Sequence, residues 1–240
     1  MKRLDKLIAL NCNVSRRDAR QLIKDGEVTV NGVPALRAEE LVNEESDVIS
    51  VKGKTFTSKD HIYLMMNKPE GVVSATDDKT HKTAVDLIPD ELSRKSLFLC
   101  GRLDKDTTGL LIITDDGAFC HEIMSPNHKV YKTYIATLAY PLDNEAISEL
   151  ESGVELSDGT KCLPAKVKYF TDNGEYKCEL KIREGKYHQV KRMLYAVGNR
   201  VDALERVAIG GLELDRALPA GSCRELTEDE KAAIFAENEG

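Results

Sequence analysis

The apolar positions of this chain fall at helical spacing in two short stretches near its start, and in strand-like runs over much of the remainder. Leu4, Leu7 and Ile8 predict a helix that breaks at Asn11-Cys12-Asn13. Ser15 is suited to cap a second helix running to about Asp25, where Gly26 can close it, with Ala19, Leu22 and Ile23 as its apolar stripe. Glu27 to Val30 reads as a strand, Asn31-Gly32 as a tight hairpin turn and Val33 onward as the return. Lys52 to Asp60 (KGKTFTSKD) has turn and polar composition and reads as a linker. The expected division is a small N-terminal domain over residues 1–58, a linker at about 52–60, and a larger domain over 61–240.

Past the linker, strand and helix signals mix without the regular βα repeat of a doubly wound sheet. Ile62 to Met66, Ser96 to Cys100, Leu110 to Thr114 and Val130 to Ala139 read as strands. Ala165 to Phe170 and Tyr176 to Arg183 form a hairpin through Thr171-Asp172-Asn173-Gly174-Glu175. Short helices are expected at Ala118 to Met124, around Ile147 and Leu150 up to Gly153, and at Gln189 to Val197. A terminal helix is capped by Thr227 with Glu230 three residues on, and docks through Leu226, Ala233, Ile234 and Phe235. The fold class is α+β: a small N-terminal α/β module and a larger, mixed, mostly antiparallel sheet.

Charge changes this picture by its distribution. The net charge of −7 over 240 residues argues against a nucleic-acid partner only if it is spread evenly. Met1 to Lys24 holds seven basic and two acidic residues, a balance of +5, and the remaining 27 basic and 39 acidic residues leave −12. Arg16, Arg20 and Lys24 recur every four residues on the second helix, with Arg17 beside them. Such a stripe is either a solvated face or an RNA-binding face.

The six cysteines, Cys12, Cys100, Cys120, Cys162, Cys178 and Cys223, form no CxxC pair, and the five histidines no i,i+4 pair. Neither a metal site nor a disulfide framework is expected, and the thiols read as free in a reducing cytoplasm. No apolar run is long enough to span a bilayer, and Met1 to Leu10 does not read as a secretory signal. Asp115-Asp116 could be half of a metal site, but an Asp-Gly turn accounts for it better.

Between the apolar segments ending at Cys100 and starting at Leu110 lies a polar loop, Gly101-Arg102-Leu103-Asp104-Lys105-Asp106-Thr107-Thr108-Gly109. Scaffold at both ends makes Asp104 a candidate reactive group. The loop resembles the GRLD loop of the pseudouridine synthases. Three further segments resemble that family in order: Asn67-Lys68-Pro69-Glu70-Gly71 its NKPxG segment, Lys132-Thr133-Tyr134 its KxY strand, and Glu184 to Met193 (EGKYHQVKRM) its late basic motif. At the other end, SRRDARQLIKDGEVTVNG resembles the S-four-type RNA-binding module.

The resemblance implies a cleft across the central sheet and a cofactor-free isomerisation of uridine in ribosomal RNA. Asp104 would be the catalytic carboxylate, acting as nucleophile, base or electrostatic stabiliser. Lys191 would be the cation beside it, with Arg192 the alternative, and Tyr134 the active-site aromatic, with Tyr131 its competitor. Arg16, Arg17, Arg20, Lys24, Lys68, Arg102, His188, Gln189 and Arg192 would contact RNA. The expected partner is 16S ribosomal RNA or an assembling small subunit, and the expected state a cytoplasmic monomer. A large-subunit rRNA enzyme and a non-catalytic RNA-binding or assembly factor on the same fold are the alternatives.

Overall fold

In the computed structural model, which describes residues 1–43, 46–56, 61–94, 96–125 and 130–236, the chain divides into two units. One comprises Met1–Ile62 with Pro89–Leu97, the other Tyr63–Ile88 with Phe98–Gly240.

The first unit is built on two helices, α1 (Leu4–Asn11) and α2 (Arg16–Lys24). The Ser15 hydroxyl accepts from the Asp18 amide and the Asp18 carboxylate accepts from the Ser15 amide, so two orphan donors are satisfied at the start of α2. The strands are β1 (Lys2–Arg3), β2 (Val28–Val30), β3 (Val33–Pro34), β4 (Leu41–Val42), β5 (Ile49–Val51) and β6 (Lys54–Phe56), with β1 on β4 and a sheet of order β3-β2-β5-β6. Leu4, Leu7, Ile8, Ala19, Ile23, Val28 and Ile49 fill the core between helices and strands. Each large aliphatic buried there contributes about 1.5–3 kcal/mol. Arg94, in the segment drawn from mid-chain, donates to Asn11 Oδ1 at 2.9 Å.

Lys52–Phe56, expected as linker, instead turns the chain back and adds β6 to β5. Lys52 and Gly53 both take positive φ, +50° and +75°, as a two-residue hairpin requires. The remainder of the expected linker, residues 57–60, lies outside the described residues.

The second unit is a long mixed sheet. Its strands are β7 (Tyr63–Lys68), β8 (Phe98–Cys100), β9 (Thr107–Thr114), β10 (Lys132–Leu138), β11 (Lys166–Asp172), β12 (Glu175–Ile182), β13 (Val201–Ile209), β14 (Leu212–Glu213) and β15 (Cys223–Glu225). The order is β11-β12-β10-β13-β9-β7-β15, with β14 on β13 and β8 on β9. Among the described residues, these strands pair antiparallel with one exception: Leu204, Glu205 and Arg206 of β13 run parallel to Thr107, Thr108 and Gly109 of β9. Gly109 permits that junction, because a Cβ there would lie 2.3 Å from the Arg206 carbonyl oxygen.

Among the described residues, four α-helices complete the unit: α3 (Gly117–Met124), α4 (Asn144–Ser152), α5 (Gln189–Ala196) and α6 (Glu228–Phe235). Asp116 caps α3 by accepting from the Ala118 and Phe119 amides, so the Asp-Gly pair is a helix start. Met65, Leu110, Ile112, Ile123, Ile209 and Ile234 form one buried cluster, which ties α3 and α6 to the centre of the sheet. Among the described residues no helix is long and apolar enough to cross a membrane.

The central strand β13 was not expected from the sequence. Val201–Ile209 (VDALERVAI) interleaves three charged residues with its apolar ones, which hides the alternation.

Candidate active site and nucleic-acid interface

Asp104 sits where the parallel junction begins, in the loop between β8 and β9. That loop is fastened from one side by residues 68–74. Lys68, at the end of β7, donates to the carbonyls of Pro69 (3.1 Å), Lys105 (3.4 Å) and Thr107 (2.8 Å). The Gly71 amide donates to the Lys105 carbonyl at 2.8 Å, and Ser74 Oγ both donates to the Leu103 carbonyl and accepts from its amide. Buried Leu103 anchors the middle of the loop. Asp104 is thereby presented on backbone with few alternatives, which is what positioning catalysis demands.

The carboxylate itself is held loosely. Lys191 Nζ is 3.5 Å from Asp104 Oδ2 and His188 Nε2 is 3.4 Å from its Oδ1, and the Asp104 side chain is 26% exposed. Lys191 also donates to Asp106, whose carboxyl is held below its usual range by that bond. Both partners come from one segment: His188 takes the left-handed conformation (φ +48°) immediately before α5, and Lys191 lies in its first turn. Arg192, the alternative partner for Asp104, pairs with Asp158 instead.

Tyr134, on β10, is 8% exposed and lines a cavity of about 60 Å³ with Arg102, Leu103, Asp104, Thr107 and His188. Tyr131, its competitor, does not line that cavity and lies under the Arg183 guanidinium. Buried Arg206 reaches Tyr134 from β13: Nη1 is 3.5 Å from the phenol oxygen, Nε donates to the Leu110 carbonyl at 2.8 Å, and the guanidinium lies 6.0 Å from the ring centroid. Thr107 Oγ1 and Arg206 Nη2 are buried without a hydrogen-bond partner among the described residues.

Two expected RNA contacts are corrected. Lys68 is 0% exposed and spends its ammonium on three loop carbonyls, so no phosphate can reach it. Burial pushes its pKa down to about 8, against the opposing pull of Asp104 and Asp106. Gln189 is buried too: its amide donates to Glu184 Oε1 at 2.6 Å and accepts from the Lys186 amide at 2.9 Å, bracing the turn that carries His188. Lys132 of the KxY strand is likewise internal, donating to the Ile123 and Val130 carbonyls, and burial lowers its pKa to about 8.

The N-terminal unit carries the other expected cluster. Arg16, Arg17, Arg20 and Lys24 are all exposed on α2. Arg16 and Arg20 also converge on Asp5, a fully buried carboxylate in the first turn of α1, at 2.9 Å each. Arg3 joins them at 3.1 Å. The sequence alone did not point to Asp5, Asp106 or Arg206. No sequence signal marked Arg206: it shares a face with buried Leu204 and Ala208 but also with exposed Asp202, and the opposite phase is the more apolar one in sequence.

The RNA pseudouridylate synthase family model matches residues 62–196, and the S4 domain model matches residues 2–49. An RNA pseudouridine synthase of Bacillus subtilis (strain 168) is 45% identical over 229 residues, covering 95% of this chain and 96% of the relative. Relatives named ribosomal small subunit pseudouridine synthase A are 42% identical over 234 residues in Vibrio cholerae and 41% over 235 residues in Escherichia coli (strain K12), each covering 97% of this chain and 99% of the relative. A solved structure described as a pseudouridylate synthase superimposes with a TM-score of 0.67 at 37% identity, covering 98% of this chain and 100% of that one.

Proposed function

We propose that this chain, which belongs to the RNA pseudouridylate synthase family, converts one uridine of 16S ribosomal RNA to pseudouridine, in the free RNA or in an assembling small subunit, with Asp104 as the reacting carboxylate. The observation that carries the chemistry is the Asp104 carboxylate itself: rigidly mounted, partly exposed, and 3.4–3.5 Å from an imidazole and an ammonium. The relatives named for the small subunit, matched over nearly their whole length, support the choice of RNA.

The reaction breaks the C1′–N1 bond, turns the base and joins C1′ to C5. The C5 hydrogen leaves as a proton and N1 regains one, so atoms and electrons balance within the nucleotide. Asp104 is suited to attack or to stabilise positive charge at the sugar, as carboxylates do in glycoside cleavage. Lys191 offsets the cost of keeping that carboxylate ionised in a partly dry cleft. Tyr134, its hydroxyl held by Arg206, offers a ring for the base to rest against and an oxygen near the C5 proton. A base in folded RNA must be extruded to reach this cavity, and Arg102, exposed at its edge, is placed to meet the backbone or fill the gap left in the stack.

The test is to map pseudouridine in rRNA from cells lacking the protein, then with the wild type or Asp104→Asn restored. Loss of one small-subunit site, restored only by the wild type, is expected. Loss in large-subunit RNA would redirect the substrate, and loss of none would refute the activity.

A further inference from the structure

We propose that Arg3, Arg16 and Arg20 form one phosphate-binding site on the N-terminal unit, and that Asp5 is the positioning residue that assembles it. The inference rests on the reading that this unit binds RNA. Asp5 is 0% exposed, and three guanidiniums reach it from two elements: Arg3 through Nε (3.2 Å) and Nη2 (3.1 Å), Arg16 through Nη2 (2.9 and 3.0 Å), Arg20 through Nε (2.9 Å). The three arginine side chains remain 43%, 51% and 55% exposed. A guanidinium carries five N–H groups. The bonds to Asp5 occupy at most two on each, so at least three per arginine stay available.

Three guanidiniums so close would repel one another and splay into water if nothing lay between them. One buried carboxylate removes that repulsion and leaves a local charge of +2 pointing outward. It also fixes side chains whose immobilisation would otherwise count against binding when a ligand orders them. The remaining donors form a fixed array of the kind that matches phosphate oxygens. A solvated stripe needs no such centre. The position of Asp5 in the first turn of α1, where helix amides favour negative charge, keeps the centre in place.

The alternative is that Asp5 merely neutralises the arginines, or merely holds α1 against α2. Opposite signs separate the first alternative from the proposal. Asp5→Asn raises the net charge by one, so a neutraliser predicts tighter RNA binding. The positioning role predicts weaker binding, on the order of tenfold, with a salt slope reduced by roughly 0.7 to 0.9 for each phosphate no longer neutralised. Affinity of the full chain for a 16S rRNA fragment is measured across a salt series for Asp5→Asn, Arg3→Ala, the Arg16→Ala/Arg20→Ala pair, and the pair combined with Asp5→Asn.

The pair is expected to weaken binding, Arg3→Ala to weaken it less, and Asp5→Asn to add no more than the Arg3→Ala loss once the pair is present, because only the arginines touch RNA and Arg3 is the one left for Asp5 to hold. Equal or tighter binding by folded Asp5→Asn, or a full further loss in the combined variant, overturns the positioning role. Where Asp5→Asn fails to fold, Arg3→Ala decides: it leaves Asp5 paired with Arg16 and Arg20, and unchanged affinity overturns the site. If the pair itself leaves affinity unchanged, the RNA-binding reading of this unit fails along with the site. A weakened pair with unchanged Asp5→Asn and Arg3→Ala sinks the site alone.

Discussion

Asp5 and Asp104, one in each unit, each face more than one basic side chain, and the two arrangements differ in burial, distance and spare capacity. Asp5 is fully buried, takes bonds of 2.9–3.2 Å from three arginines, and has no room for another partner. Asp104 is 26% exposed, and its two neighbours stand off at 3.4 and 3.5 Å. A carboxylate satisfied on all sides can only organise what surrounds it. One left with spare lone pairs, in a cleft and on a stiff loop, is available to a substrate. Number of basic neighbours is therefore a poor guide to which acid reacts; unspent capacity is a better one.

The contrast breaks most sharply at Lys191. Lys191→Ala leaves Asp104 without its ammonium, and a fall in single-turnover rate on the order of a hundredfold is expected, as when other electrostatic partners of a reacting group are removed. Lys191→Arg should retain part of the rate, since the charge stays while its shape changes. Near-normal turnover by the alanine variant across neutral pH would give the pairing role to His188.

A smaller loss is expected from Lys68→Met, which removes two bonds from the loop carrying Asp104, those to Lys105 and Thr107, without touching the cavity. Loosening a reacting group should cost roughly tenfold in rate while RNA affinity holds. An affinity loss with a normal rate would return Lys68 to the RNA-contact role that its burial argues against.

These two lysines also mark how far the sequence could be read. The helix α2 was legible because Ser15, Asp18 and the apolar stripe agree, and the Asn31-Gly32 and Asn173-Gly174 hairpins because those pairs tolerate positive φ. The motif around Asp104 located the loop. Two of the misses are charged residues buried in strands. Lys68 lies in phase with buried Leu64 and Met66, and Arg206 with buried Leu204 and Ala208. Charged residues that face inward in a strand are structural or site-building, but no alternation marked these two: Met65 is as buried as Leu64 and Met66, and the phase opposite Arg206 is the more apolar one in sequence. Asp5 offered no signal either, because its three partners converge only once α1 and α2 have packed. Lys52–Phe56 was missed because a lysine-rich edge strand has the composition of a linker.

The smallest expected effect concerns pH. Burial alone would raise the Asp5 carboxyl, but donation from Arg3, Arg16 and Arg20 outweighs it and holds the group far below its ordinary value of 3.8. The unfolded chain then binds a proton at about 3.8 that the folded chain refuses. The stability contributed is present above that pH and lost as pH falls below it, toward the folded value. Thermal unfolding between about pH 5 and pH 2.5 should fall more steeply for the wild type than for Asp5→Asn. Parallel curves would mean that Asp5 is not held as its bonds require.

The contrast between the two carboxylates is tested most directly by measuring RNA affinity and single-turnover rate at saturating RNA for Asp104→Asn and Asp5→Asn side by side. A crossed result is expected. Asp104→Asn abolishes pseudouridine formation with affinity within about twofold of wild type, because binding comes from basic residues elsewhere. Asp5→Asn weakens affinity yet turns over at the wild-type rate once saturated. Robust pseudouridine formation by the Asp104→Asn protein would contradict the assignment of Asp104 as the reacting carboxylate.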